Sequence, residues 1–557
     1  MHDDGPDARP RVPQPLARGT RGAVVAPHHL ATSAGLAALA AGGSAVDAAI
    51  ATNAVLAVVV PGGCGIGGDA FWLVWDPTEG RQVALNGSGR SARSISADLL
   101  LGSGLERLPH RGPLTITVPG AVRSWADAHA RWGRLDRETI LARAIELAES
   151  GFAASDGFRG AVERAAPVVE SAVGRRSGWA ALYRPHGRAW RPGEVVRLPA
   201  LASTLRRLAR VGFEDLYEGA LAEAQATGLA AAGSPLTLDD LRSHASTWGE
   251  PLAHPYRGVT VTTSPPNSQG VTALVILGLL ERFEPPRPDA FGAAGVTSPG
   301  WIHLGIESAK LAMAERDATV TDPDRMATSV ERLLDPDHLA TLARRIDPDR
   351  ASPAPPAANP RGGGTIWLGV VDEAGMCVSL IESNYSGFGS GVADPVTGIH
   401  YHNRGSYFSL EPGHPNRLEP GKRTLHTLMP GMLLRDGRPW VVTGSMGGDA
   451  QPQIHAQVVS NLVDGRVDVA TAVGAPRWFV EPADHFEPPI EVRAEPRFAP
   501  GVLDRLEALG HPVSRTAPFD ALLGHGHAIE LVDGGPAAGG TLAAATDPRS
   551  EGLPAVR

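Results

Sequence analysis

Apolar residues recur at helical spacing from residue 30 to residue 60, interrupted once by Gly42-Gly43-Ser44. The pattern predicts two packed helices, the second capped by Ser44 with Asp47 at the capping-box position. A glycine turn, PGGCGIGGD, follows, and FWLVWD and QVALNGSGR then read as a pair of strands. From Pro119 to about Phe283 the periodicity is mostly helical, as in DRETILARAIELAESGF and LPALASTLRRLARVGFEDLYEGALAEAQA. Within this stretch RGVTVTTSPPNSQG predicts a strand ending in a loop, and VTALVILGLLERF and WIHLGIESAKLAMAERDATV predict two further helices.

The sharpest break is 347–364, DPDRASPAPPAANPRGGG, a Pro/Ala/Gly segment that can bury little and is predicted to be an exposed, mobile processing segment. Directly after it, TIWLGVVD, a turn at Glu373-Ala374-Gly375 and MCVSLIESNY predict a tight hairpin of apolar strands whose first residue is Thr365. Strand signals such as GMLLRDG and PWVVTGS then alternate with helices such as AQPQIHAQVVSNLVDG. Strands on both sides of the break must share one core, because the break interrupts a single layered α/β body.

At 557 residues, with 43% hydrophobic and 20% charged content, the chain is globular. A net charge of -9 without a basic tract excludes a surface built for nucleic acid or anionic membrane, so the expected partner is a small molecule. Cys64 and Cys377 can form at most one bridge and are assigned no role. The polar N-terminus lacks the apolar core of a secretory signal, and the longest apolar stretch, Ala48–Val60, is too short to span a bilayer. A soluble, cytoplasmic protein is expected.

A threonine hydroxyl becomes a useful nucleophile when a base takes its proton, and a free α-amine on the same residue, with a pKa of about 7.7 to 8.0, is one such base. Thr365, placed between a glycine-rich approach and an apolar strand, meets that requirement if the bond before it is cut. Several ordered segments carry a wider resemblance: GGSAVDAAIATNAVLAVVVPGGCGIGGDAFWLVWD, TVPGAVRSW, GRLDRETILARAIELAESGF and SPPNSQG, then TIWLGVVDEAGMCVSLIESNYSGFGSGV, GKRTLHTLMPGMLL, VTGSMGGDAQPQ, APRWF and ATDPRSEG. Across nearly the whole chain these resemble the gamma-glutamyltransferase family of N-terminal-nucleophile hydrolases.

The resemblance implies a four-layer αββα sandwich, one body made of two chains after self-cleavage at Gly364-Thr365. The expected products are a large chain of residues 1–364 and a small chain of residues 365–557, paired as a heterodimer. It implies further that Thr365 is the nucleophile, that Ser383 is the hydroxyl residue touching the nucleophile's amine, and that the backbone N–H groups of Gly447 and Gly448 stabilise the oxyanion. Glycine lets the backbone approach closely there, and a helix beginning at that point would favour an anion.

The substrate-holding positions depart from the glutamyl enzymes. Tyr407 stands at the acidic position, Tyr385 at the Asn, Arg404 at the Gln, and His426 and Thr427 at the Ser pair, while Ser88 takes the large-chain Arg position with Arg90 two residues on. Losing the acid removes the main reason to bind a glutamyl ammonium group. Arg404, and with it Arg90, suit a carboxylate or α-keto acyl group unless either makes a structural ion pair. With NRGSYFSL, these residues look more like the oxamate amidohydrolase and cephalosporin-acylase-like branch, and so predict hydrolysis of a small non-glutamyl acyl compound. The alternatives are a true gamma-glutamyl hydrolase or transpeptidase, a carbon–carbon hydrolase, and an uncleaved binding homologue.

Gly63 to Gly68 match GxGxxG, but a helix precedes them and a strand follows, the reverse of a dinucleotide fingerprint, so no cofactor is expected. His400 with His402, and His525 with His527, could share strand faces, but no HExxH or carboxylate cluster accompanies them and no metal is expected.

Overall fold

The computed structural model describes residues 15–174, 177–353, 364–484 and 487–557. Residues 354–363, most of the predicted processing segment, lie outside them.

Two seven-stranded sheets stack face to face. The first runs β1 (Ala17–Gly19), β13 (Thr541–Ala545), β12 (Gly526–Val532), β11 (Arg438–Ser445), β10 (Gly431–Arg435), β7 (Val259–Thr263), β6 (Leu252–Tyr256). The second runs β14 (Ala555–Val556), β2 (Ala23–Val25), β8 (Gly364–Val371), β9 (Cys377–Tyr385), β3 (Asp69–Asp76), β4 (Arg81–Asn86), β5 (Thr247–Gly249). Strands from both sides of residue 364 are interleaved in both sheets. β8 lies between β2 and β9, and β9 between β8 and β3.

The period of two along each strand assigns side chains to layers. Trp367, Val371, Cys377, Ile381, Phe71 and Leu73 point between the sheets, where they meet Met432, Val442, Ile529 and Leu542 of the first sheet. Their neighbours Ile366, Leu368, Val370, Val378, Leu380, Trp72 and Val74 point outward under α1 (His29–Ala40), α2 (Ala45–Val59), α3 (Ala121–Trp132), α4 (Arg137–Ser150) and α5 (Pro199–Val211). The outer face of the first sheet is covered by α6 (Gly270–Leu280), α7 (Pro299–Thr319) and α8 (Gln451–Val463). The result is the four-layer αββα sandwich.

Helix α2 illustrates the local logic. Ser44 Oγ accepts from Asp47 N–H and Asp47 returns the bond to Ser44 N–H at 2.8 Å, closing the capping box. Every residue of α2 is buried, and its alanines let it lie close on the second sheet. Beyond Ala475 the chain adds a small sheet of Trp478–Asp484, Glu487–Ala494 and Val513–Arg515 and the helix α9 (Val502–Ala508). No helix among the described residues is long and apolar enough to cross a membrane. Cys64 and Cys377 are both free and buried.

Candidate active site

Residues Gly364 and Thr365 begin β8, and alternation turns the Thr365 side chain toward the inter-sheet layer, 5% exposed. Opposite them the ladder slips by one: Thr365 pairs with Ser383 but Gly364 with Tyr385. This bulge re-aims the end of β9 and leaves Tyr385 at φ 72, a conformation a bulky residue adopts only where its surroundings hold it. Ser383 Oγ lies 2.9 Å from Thr365 Oγ1, donates to the Gly364 carbonyl oxygen at 2.6 Å, and accepts from Tyr385 N–H at 2.7 Å. Because the Ser383 proton is given to Gly364 O, the Thr365 hydroxyl is the donor between the two side chains. One hydroxyl thus joins a threonine to the carbonyl of the peptide bond before it.

At Tyr385 the polar network turns outward. The Arg404 guanidinium stacks 4.0 Å from the centre of the Tyr385 ring, and its Nη2 donates to Thr427 Oγ1 at 3.0 Å. Arg404 is 1% exposed, yet its Nε and Nη1 have no hydrogen-bond partner among the described residues. Burial lowers its pKa, opposed by Tyr385, Asp69 and Tyr407. Tyr407, edge-on to Tyr385, donates through its hydroxyl to Asp449 Oδ1 at 2.6 Å.

Gln269, from the SPPNSQG loop, ties this wall to the glycine hinge by donating to Thr427 O at 2.8 Å and Gly448 O at 2.9 Å. Arg316 of α7 donates to both Gln269 Oε1 and Asp449 Oδ1 at 2.6 Å. Burial pulls the Arg316 pKa down, but Asp317, Tyr407 and Asp449 outweigh it and keep the group charged. An acid therefore does stand beside Tyr407, but Arg316 has already neutralised it.

Gly447 and Gly448 sit at φ 148 and φ 56, conformations that favour glycine. Neither N–H is taken by an acceptor among the described residues. α8 begins at Gln451, after a 3-10 turn Gly448–Ala450, so the helix end lies slightly beyond the predicted point.

Both ring nitrogens of His426 have partners within the protein. Its Nδ1 accepts from Leu428 N–H at 3.2 Å, so Nε2 carries the proton given to Asp69 Oδ2 at 3.2 Å. Burial, then Arg404, push its pKa down to about 3. Asp69 pairs with Ser383 across β3 and β9. Burial raises the Asp69 carboxyl, but His402, His426 and Arg404 together hold it well below the usual range.

Of the two readings of Arg90, the structure forms the ion pair: its guanidinium donates to Asp322 at 2.8 Å, Gly421 O at 3.1 Å and Asp324 at 3.4 Å. Ser88 bonds Asn86 at 2.7 Å. Sequence reasoning missed Asp69, Gln269, Arg316, Asp449 and a large-chain loop. In that loop His110 Nε2 lies 3.1 Å from Ser386 Oγ, with its ring edge-on to Tyr385, and Arg111 donates to Gly387 O at 2.8 Å. Asp449, beside the glycine pair, was the one visible clue.

His400 bonds Tyr183 and Asn384, and His402 bonds Thr117 O and Arg404 N–H; the two lie in the connection between β9 and β10 rather than on a shared strand face. A metal-like grouping does occur elsewhere, His303, Glu307 and His511, all buried. Lys310 Nζ already sits 2.6 Å from Glu307, balancing its charge, and the cluster holds residues 347–353 through Asp347 O and Ser352.

Residues 31–556 match the gamma-glutamyltranspeptidase family. The chain is 40% identical to the oxamate amidohydrolase proenzyme of Klebsiella pneumoniae, covering 96% of this chain and 98% of that one. It is 36% identical to the glutathione hydrolase-like YwrD proenzyme of Bacillus subtilis, again over 96% and 98%. The crystal structure of cephalosporin acylase from Bacillus halodurans superposes with a TM-score of 0.88 at 36% identity, covering 100% of this chain and 99% of that one.

Proposed function

This chain belongs to the gamma-glutamyltranspeptidase family, and from that membership we propose that it cuts itself before Thr365 and then hydrolyses a small carboxylate-bearing amide through an acyl-threonine ester. The observation that carries the reading is the hydroxyl relay from Thr365 through Ser383 to the Gly364 carbonyl.

In the uncut chain, Thr365 Oγ attacks the Gly364 carbonyl carbon. Its proton passes to Ser383, whose own proton moves to the carbonyl oxygen as that oxygen gains charge. The C–N bond then breaks toward the Thr365 nitrogen, which takes up a proton, and leaves an ester between Gly364 and Thr365. Water hydrolyses the ester, giving a Gly364 carboxylate and a free Thr365 α-amine. That amine then serves as base when Thr365 attacks the amide of the substrate. The nitrogen leaves as ammonia or an amine, and water releases the acid. The free N–H groups of Gly447 and Gly448 are the proposed donors to the oxyanion, and one such donor is worth about 10²–10³-fold in rate.

The two unpartnered nitrogens of buried Arg404 support a carboxylate next to the scissile carbonyl. Asp449 cannot stand in for the missing ammonium-binding acid, because Arg316 neutralises it. Oxamate, the substrate in the name of one relative, has the required shape.

The test is intact mass and N-terminal sequencing of wild type beside Thr365→Ala, followed by ammonia release from oxamate and cleavage of a gamma-glutamyl anilide. Two chains, the smaller starting Thr-Ile-Trp-Leu, with an uncut mutant and preference for oxamate, are expected. An uncut wild type would overturn the nucleophile, and efficient anilide turnover would overturn the substrate class.

A further inference from the structure

We infer that Glu382 is a positioning residue for Thr365, holding the glycine turn 61–68 against the bond that is cut. The inference rests on the proposed self-cleavage at Gly364-Thr365.

Glu382 precedes Ser383 on β9, so alternation sends it to the opposite face, under α2 and among Val378 and Leu380. It is 0% exposed and forms no ion pair among the described residues. A buried carboxylate without a cation lowers stability, so burial energetics give no reason for it. Its two oxygens have specific partners: Oε1 accepts from Gly65 N–H at 2.9 Å, and Oε2 accepts from Asn53 Nδ2 of α2. The charged or titratable groups that act on it are Asp69 and Cys64.

Gly65 belongs to the GxGxxG segment, which has no cofactor-like setting here. The turn is bonded instead to the chain around the cut. Asn384 N–H donates to Gly63 O and Phe388 N–H to Gly62 O, both at 3.2 Å. A side chain at Gly364 would strike the Gly62 carbonyl, and one at Gly63 would come within 3.3 Å of Thr365 O. The turn is thus one wall of the cleavage junction, and Glu382, together with Asn384 Nδ2, which donates to Pro61 O at 3.2 Å, ties it to the strand that carries Ser383. Burial and the nearby Asp69 push the Glu382 carboxyl up to about 8. The ester intermediate carries a free Thr365 α-amine that titrates in the same range, so the comparison with Glu382→Gln, which keeps that amine, is what separates the two groups.

Self-cleavage is followed by intact mass from pH 6 to pH 9 in wild type, Glu382→Gln and Glu382→Ala, with melting temperatures measured in the uncut Thr365→Ala background. The alanine variant should cleave at least tenfold more slowly. The glutamine variant, which keeps an acceptor for Gly65, should recover part of the rate and lack the bend expected of wild type near pH 8. If the alanine variant does not fold, the glutamine profile decides. Variants cleaving within twofold of wild type, or a glutamine variant with a lower melting temperature but an unchanged pH profile, would overturn the inference. An uncut wild type would instead overturn the reading of Thr365.

Discussion

Replacing Ser383 with alanine removes one oxygen that serves three groups at once. It donates to the Gly364 carbonyl, accepts from Thr365 Oγ1 and satisfies Tyr385 N–H. Losing the donor that stabilises the developing oxyanion should slow cleavage by about 10²–10³-fold, or roughly 3 to 4 kcal/mol of barrier. Loss of the proton route from Thr365 adds to that slowing. The orphaned Tyr385 N–H is a stability effect of about 1–3 kcal/mol, which lowers the melting temperature by no more than roughly 2–4 °C per kcal/mol. The two effects separate when cleavage is timed by intact mass in Ser383→Ala and melting is measured in Ser383→Ala/Thr365→Ala against Thr365→Ala. A Ser383→Ala chain that matures within tenfold of the wild-type rate would refute the relay.

Arg404→Gln should reduce kcat/KM for oxamate by about 10²–10⁴-fold, since two charged hydrogen bonds of about 1.5–3 kcal/mol each are lost; steady-state ammonia assays check this, and an unchanged value removes Arg404 from the acyl site. Gly364→Ala should stall self-cleavage, because its β-carbon meets Gly62 O and lies 2.9 Å from Gly387 N, and wild-type processing would contradict the close packing. Arg549→Ala, which strips the buried Glu495 and Asp547 of a shared cation, should destabilise by about 3–5 kcal/mol in denaturant melts. Burial holds His28, His244, His426, His511 and His527 down to about 3 and His400 and His455 to about 4. The unfolded chain protonates these groups below about 6.5 while the folded chain does not, so each should remove on the order of 1.4 kcal/mol per pH unit as pH falls from about 6.5 toward 4; a melting temperature flat over that window would contradict their burial as neutral rings.

The layered fold was legible because its main elements carry strong periodicity. Ser44 and Asp47 announced the start of α2, and the apolar runs TIWLGVV and CVSLIESNY on either side of the Glu373-Ala374-Gly375 turn announced the central hairpin. The late strand TLAAA was not singled out, being five residues long and mostly alanine, with little β-branched character. At the site, Thr365 stood out through the composition break before it. Glu382 did not, since the strand around it is apolar and its partners Asn53 and Gly65 lie more than 300 residues away. Arg316 likewise reads as one polar residue in a long helix until α7 brings it to Asp449, and the two readings of Arg90 could not be separated in the sequence because its partner Asp322 is 232 residues distant.

The interleaving of strands from both sides of residue 364 within each sheet has a thermodynamic consequence for the cut molecule. A nick before Thr365 breaks one covalent bond but no sheet, since β8 and β9 stay flanked by β2 and β3 and the first sheet keeps β1, β6 and β7 from the other piece. Separating the pieces would open both sheets and the layer between them, so dissociation and unfolding would be the same event. The mature protein should therefore resist dilution and exchange no subunits with its neighbours while folded.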